Sequence, residues 1–174
     1  MVLDAVRTRM SHAVRGYAPH EHRPLDGYVT AMAAFGGLAA ALSAAGRITG
    51  RRAPERPHLA DVVLVSLATH KLSRLLAKDA VASPLRAPFT RYAGSAGDGE
   101  LNEEVRDEGS SVRHGIGELL SCPFCLAVWV ATGLTGGLVV APRLTRLGAT
   151  VLTATAVSDF LQLGYDAAKR GSEG

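Results

Sequence analysis

Charged residues are nearly absent from three long stretches of this sequence. Residues 27–46 and 119–142 have no formal charge over 20 and 24 positions, and residues 147–165 have one charge, Asp159, in 19. About 20 apolar residues, at about 1.5 Å each along a helix, match a bilayer core of about 30 Å. A surface helix of a soluble protein needs a wet, polar face instead. The pattern predicts membrane-spanning helices at about residues 28–46, 123–141 and 147–165.

A fourth stretch, residues 59–77, is less hydrophobic, and its polar residues share one side. At about 100° per residue they form a helical stripe of Ser66, Thr69, His70, Ser73 and Arg74. The last predicted span has a matching stripe of Thr155, Ser158, Asp159, Gln162 and Asp166. Lys71 lies off the first stripe, so its ammonium group is expected to extend towards the headgroups.

These two helices are expected to pack stripe to stripe, because a charge that faces lipid costs at least about 2.5 kcal/mol. We therefore expect Asp159 to lie near Arg74 or His70, so that the three form a buried polar cluster. One interpretation is a structural ion pair, and another is a proton or ion relay. A third leaves Arg74 facing a loop.

The segments together predict an all-α fold, a multi-pass transmembrane helical bundle with three to four spans. It comprises an amino-terminal arm (1–26), a transmembrane domain (27–166) and a tail (167–174). With four spans, the side that holds both termini has 11 Lys and Arg residues and the other has 6, which favours cytoplasmic termini and a bacterial inner-membrane location. The first apolar run exceeds the 7–15 residues typical of a signal peptide, so we expect that span to be retained.

The connection between the second and third spans, residues 78–118, has two parts. Two prolines exclude a continuous helix over 79–92, and apolar residues mixed with arginines are typical of a segment at the headgroup boundary. Asp79 and Arg86 are expected to organise this interfacial segment. Residues 93–113 are rich in glycine and acidic side chains, which predicts a mobile solvated loop.

Composition narrows the classes of function. Hydrophobic residues make up 47% and charged residues 20%, which excludes a disordered tail and a disulfide-framework miniprotein. The net charge of +3 comes with no basic, aromatic-interleaved face, so we expect no nucleic-acid partner. No nucleophile–base pattern, phosphate-binding glycine loop or HExxH motif occurs, and no cofactor is expected.

Cys122 and Cys125 form a CxxC pair at the start of the third predicted span. Pro123 suits a first helical turn, where its missing N–H is harmless. No βαβ pattern surrounds the pair, which excludes a thioredoxin fold. Three interpretations stay open: structural thiols, a redox-active dithiol, or a metal site that His114 or a second protomer completes.

Three parts of the chain resemble a known bacterial family. They are THKLSRLLAKDAVASPLRAPFTRY (69–92), GELLSCPFCLAVWVA (117–131) and APRLTRL with AVSDFLQLGY (141–147 and 156–165). The most specific part combines CPFC with Trp129. The family is catalogued as domain of unknown function 1360 and includes a small sporulation-associated membrane protein. The resemblance, over about residues 59–166, implies an integral membrane protein with an intramembrane Asp and a CxxC next to the cytoplasm, and no established activity.

The chain is thus predicted to be a non-enzymatic membrane component. Its expected partners are the lipid bilayer and either a second copy or another membrane protein. Gly133 and Gly137 have GxxxG spacing, which we expect to serve packing within the monomer. The alternatives are a thiol-disulfide redox protein that uses Cys122 and Cys125, and a metal-binding membrane protein with the same pair as ligands.

Overall fold

The computed structural model of the protein describes residues 17, 23–106 and 108–172. Most of them are helical. The elements in chain order are α1 (Leu25–Ile48), α2 (Leu59–Lys78), a 3₁₀ turn (Ala80–Ala82), α3 (Ser83–Arg86), β1 (Thr90–Gly97), β2 (Glu100–Val105), α4 (Ser111–Ser121), α5 (Pro123–Val140) and α6 (Pro142–Ser172).

The helices α1 and α5 pack side by side and run in the same direction. Midway along both, the rings of Phe35 and Trp129 meet edge to face with centroids 5.3 Å apart. Near the end of both, a Cβ built on Gly46 would lie 3.4 Å from a methyl group of Val139. The positions in contact increase along both helices in the same direction, so α1 and α5 are parallel.

The helices α2 and α6 also share a direction, opposite to that of α1 and α5. Arg146, in the first turns of α6, donates hydrogen bonds of 2.9 and 2.8 Å to Asp61, in the first turn of α2. Further along both helices, Lys71 of α2 lies 2.9 Å from Asp159 of α6. The four long helices form an antiparallel bundle, with the 49–58 connection and the α5–α6 turn at one end. The hairpin of β1 and β2 lies at the other end.

The two strands form an antiparallel hairpin closed by Asp98-Gly99. Both turn residues have positive φ, 43° and 81°, which a type I′ turn requires and an Asp-Gly dipeptide favours. The prediction of a mobile solvated loop at 93–113 is therefore wrong, because these residues form most of the hairpin and the start of α4. The all-α class is likewise corrected to a mostly helical class with a two-stranded sheet.

The start of α1 crosses α4 at a pair of glycines. A Cβ on Gly115 would lie 3.2 Å from the Gly27 Cα atom, and a Cβ on Gly27 would overlap the carbonyl oxygen of Ser111. The two backbones are in contact, which only residues without side chains permit. Ser110 caps α4, since its hydroxyl accepts a hydrogen bond from the Arg113 backbone N–H at 3.3 Å.

Small residues fill the space between the long helices. The buried apolar positions of the described chain are Ala68, Ala77, Ala82, Leu126, Ala149 and Ala156. Large apolar side chains point outwards instead: Met32 of α1 is 74% exposed and Phe124 of α5 is 86% exposed. The helices therefore approach one another closely and leave a wide apolar surface on the outside.

Two of the described helices, α1 and α5, are long and apolar enough to cross a membrane. They coincide with the spans predicted at 28–46 and 123–141. The helices α2 and α6 match the spans predicted at 59–77 and 147–165 in position, but they do not reach the same hydropathy. The predicted arm lies largely outside the described residues, and α6 continues to Ser172, into the predicted tail.

Candidate functional site: a charged cavity under the hairpin

A buried ion pair attaches the hairpin to the end of α2. The guanidinium of Arg86 is inaccessible and donates two hydrogen bonds of 2.9 Å to the carboxylate of Glu103. It also donates to the backbone carbonyl oxygens of Leu76, at 2.8 Å, and Asp79, at 3.1 Å. The expected association of Asp79 with Arg86 is thus made by the Asp79 backbone, not by its carboxylate.

The charge of Glu103 is held in place by its hydrogen bonds. Burial by itself raises the pKa of this carboxyl, but hydrogen bonds from Arg86 and from the Thr90 hydroxyl, the latter at 2.7 Å, outweigh it and hold the pKa below its usual range. The Thr90 hydroxyl oxygen also lies 3.0 Å from the Arg86 carbonyl oxygen, and Thr90 is itself buried. The hairpin therefore has a fixed position over the bundle end.

Lys71 links α2 to α6 and to the segment before the hairpin. Its ammonium nitrogen lies 2.9 Å from the Asp159 carboxylate and 4.0 Å from that of Asp79. The Lys71 side chain is only 17% exposed. One cation thus bridges two carboxylates from different elements.

A second bidentate pair ties α2 to the tip of the hairpin. Arg74 donates hydrogen bonds of 2.6 and 2.8 Å to Glu100, the first residue after the turn. The Ala80 backbone N–H donates to the Gly99 carbonyl oxygen at 2.9 Å. The turn is therefore held next to the end of α2.

These contacts border an open cavity of about 710 Å³ between α2, the hairpin tip and the later part of α6. Two cations line it, Lys71 and Arg74. Its carboxylates belong to Asp79, Asp98, Glu100, Asp159 and Asp166. Five carboxylates against two cations give a formal charge of −3, with histidine neutral. The arrangement can hold a positively charged group.

One wall of the cavity is aromatic. The rings of His70 and Phe160 stack with centroids 5.5 Å apart and 24° between their planes. The Phe160 side chain is 54% exposed. A planar cation that enters the cavity can therefore meet a ring face as well as carboxylates.

The cavity is lined by His70, Arg74 and Asp159, but they do not form the predicted buried cluster, because His70 and Arg74 are exposed and the ion pairs are different. Asp159 binds Lys71 instead of Arg74, and Arg74 binds Glu100 of the hairpin. The expectation that Lys71 extends towards headgroups is wrong. Its four-carbon stem is long enough to turn back between the helices.

The two glutamates that hold the hairpin, Glu100 and Glu103, are not predictable from local sequence patterns. Their arginine partners lie 26 and 17 residues away, so no local spacing connects them. The available signal was the Asp98-Gly99 dipeptide, which is a strong hairpin indicator.

The cysteine pair lies at the start of α5, among residues that do not line the cavity. Both thiols are free, and the Cys122 sulfur accepts a hydrogen bond from the Cys125 backbone N–H at 3.2 Å. His114 Nε2 lies 3.6 Å from Glu118. Within the described ranges, no three His, Cys, Asp or Glu residues are grouped to hold a metal ion, so the two cysteines and His114 do not form a ligand set.

The region that contains these residues matches a known protein family. Residues 64–165 match the family described as Protein of unknown function (DUF1360). This chain belongs to that family. The match confirms the resemblance found in the sequence, and it covers every cavity residue except Asp166.

A curated relative shares part of this region. The chain is 42% identical over 71 residues to "Sporulation protein YjcA" of Bacillus subtilis (strain 168). The alignment covers 40% of this chain and 60% of the relative. No solved structure matches the chain.

Proposed function

We propose that this protein is a multi-pass integral membrane protein that acts without catalysis, by binding a protein partner at its hairpin end. The observation that carries the proposal is the exposure of its two most apolar helices. Only 6% of the apolar window of α1 and 11% of that of α5 is buried. A core helix of a soluble protein would be mostly buried, and α5 is far from the amino terminus, where a signal sequence lies.

We extend the proposal to four spans, with α2 and α6 crossing as a pair. Their charges form two levels, Asp61 with Arg146 and Lys71 with Asp159. The levels are ten residues apart on α2 and thirteen on α6, or about 15–20 Å at 1.5 Å per residue. Because each charge has a partner on the neighbouring helix, the two pairs avoid much of the penalty of a lone charge in lipid.

Orientation follows from the basic residues. The hairpin lies at the same end as the start of α1 and the end of α6. In a four-span topology this side has the larger number of Lys and Arg residues, which supports a cytoplasmic hairpin and location in a bacterial inner membrane. The name of the Bacillus subtilis relative supports a role connected with sporulation, for the shared region at least.

A dithiol redox role is the second candidate. Cys125 is exposed, and it shares the first turn of α5 with Cys122. Attack by one thiolate on an external disulfide, followed by attack of the other, would oxidise the pair and release two thiols.

Membrane extraction and labelling test the proposal. In a background with Cys122→Ser and Cys125→Ser, an impermeant maleimide should label Ala53→Cys in the far connection of intact cells, and should label Ser95→Cys on the hairpin only after lysis. Both positions are exposed. The protein should stay in the membrane pellet after alkaline extraction. Release by alkali, or equal labelling of both sites in intact cells, would contradict the proposal.

The partner is tested by photo-crosslinking in cells. A photoreactive residue at Tyr92, which is 68% exposed on β1, should give a discrete heavier species. The same residue at Ala53 is the matched control and should give none. Absence of a discrete species from Tyr92 would contradict partner binding at the hairpin.

A further inference from the structure

We propose that the charged cavity binds a basic segment of the partner protein, through Arg or Lys side chains that enter between α2, the hairpin tip and α6. This inference rests on the proposed function and names the chemistry of its partner. It is carried by charge complementarity, because the cavity has an excess of carboxylates that its own cations do not neutralise.

Two of the five carboxylates that line the cavity take no part in its internal ion pairs. Lys71 is engaged by Asp159 and Asp79, and Arg74 is engaged by Glu100. Asp98 and Asp166 have no counter-ion among the described residues. Both are exposed, and they contribute to the cavity from different elements.

The two unneutralised carboxylates are presented by fixed backbone. Asp98 occupies the first position of the hairpin turn, with φ 43°, and the turn is tied to α2 through Gly99 and Glu100. Asp166 lies within the continuous helix α6. A ligand that neutralises both carries two positive charges.

The excess of carboxylates in the cavity favours a basic peptide over the other charged ligands. A single metal ion needs three or more close ligands, and no such group occurs in the described part of the chain. The net negative charge repels phosphate, nucleic acid and anionic headgroups. Guanidinium groups fit best, since they bind carboxylates in a bidentate manner and stack on rings such as that of Phe160.

A binding titration with a defined peptide tests the inference. The full chain in a non-ionic detergent is titrated with fluorescent hexa-arginine, at one fixed salt concentration, and anisotropy is measured. The double variant Asp98→Asn/Asp166→Asn should bind at least about tenfold more weakly than the wild type. Asparagine also adopts positive φ, so the turn is kept.

Glu104→Gln is the matched control. Glu104 is an exposed carboxylate of the same hairpin that does not line the cavity. This variant should change the affinity less than about twofold, and a hexa-glutamate peptide should not bind.

Several results would overturn the inference. One is that the wild type does not bind the peptide, and another is that Glu104→Gln loses as much affinity as the double variant. A third is that spermidine, at the same concentration of charge, displaces the peptide, which would assign the cavity to free polyamines. A chain that stays in the membrane pellet but does not bind the peptide refutes this inference alone. A chain that alkali extracts refutes the proposed membrane protein, whatever the titration gives.

Discussion

Removing the charge of Glu103 should detach the hairpin from the bundle. The Glu103→Gln variant keeps the shape of the side chain but leaves the Arg86 guanidinium buried without its counter-ion. That guanidinium is 0% exposed and the carboxylate is 6% exposed. Because both groups are buried, bulk water has little access to the uncompensated charge.

The expected size of the effect comes from burial. Breaking a buried ion pair by removing one partner costs about 3–5 kcal/mol, because the remaining charge stays desolvated. Arg74 and Glu100 form a pair with the same bidentate geometry, but Arg74 is 50% exposed. Loss of such an exposed pair costs about 0–1 kcal/mol. Glu100→Gln is therefore the control for a bidentate pair of the same geometry in a more exposed position.

Hydrogen exchange of the backbone amides in residues 90–105 measures this effect in detergent-solubilised protein. At about 1.4 kcal/mol per tenfold, Glu103→Gln should accelerate exchange of the protected amides by about two to four orders of magnitude. Glu100→Gln should accelerate it by less than about fivefold. A similar factor for both variants, or less than tenfold for Glu103→Gln, would refute the argument that this buried pair holds the hairpin.

Three further predictions concern pH, glycine packing and the thiols. Because the folded-state pKa of Glu103 is depressed, its contribution is present above the ordinary pKa of a glutamate and is lost as the pH falls through the folded value. Hairpin protection should therefore decrease in acid, and Glu103→Gln should abolish that dependence. Gly27→Ala should lower the stability in thermal unfolding by about 1–3 kcal/mol or more, whereas Gly36→Ala, with open space around it, should be neutral or stabilising by up to about 1 kcal/mol. Cys122→Ser/Cys125→Ser should keep the wild-type membrane level, since serine also caps a helix, and thiol labelling of the wild type in cells should not change with reductant. A redox-dependent change would favour the dithiol candidate.

The sequence pattern located α1 and α5 to within a few residues because their signal is continuous. A run of about 20 apolar residues leaves little choice of register or element type. The bounds Leu25–Ile48 and Pro123–Val140 follow the predicted 28–46 and 123–141 closely. Acidic residues indicate a solvated segment but do not distinguish a loop from a hairpin, so composition alone does not predict β1 and β2. Two glutamates of the hairpin face arginines that are distant in the chain, and such pairs depend on tertiary structure.

The polar stripes identified the right pair of helices but not the right ion pair. A helical projection places each residue by its Cα angle, and Lys71 falls about 100° from His70. The ammonium group lies several bonds from that Cα atom and reaches Asp159 from the edge of the stripe. Arg74 is one turn closer to the hairpin, where it pairs with Glu100 instead of Asp159. The length of a side chain therefore decided the partner, and projection angles do not include that length.

The location of large and small residues gives the strongest argument for a lipid environment. Burial of large apolar side chains stabilises a protein in water, yet this chain buries alanines and an arginine while Met32 and Phe124 point outwards. In water, the exposed apolar surface would oppose the folded arrangement. In a bilayer, close approach of small residues and satisfied polar pairs is what drives helix association. A lipid environment therefore explains both the packing of the bundle and its two levels of ion pairs. The charged cavity then lies where the end of α2 and the later part of α6 meet the hairpin.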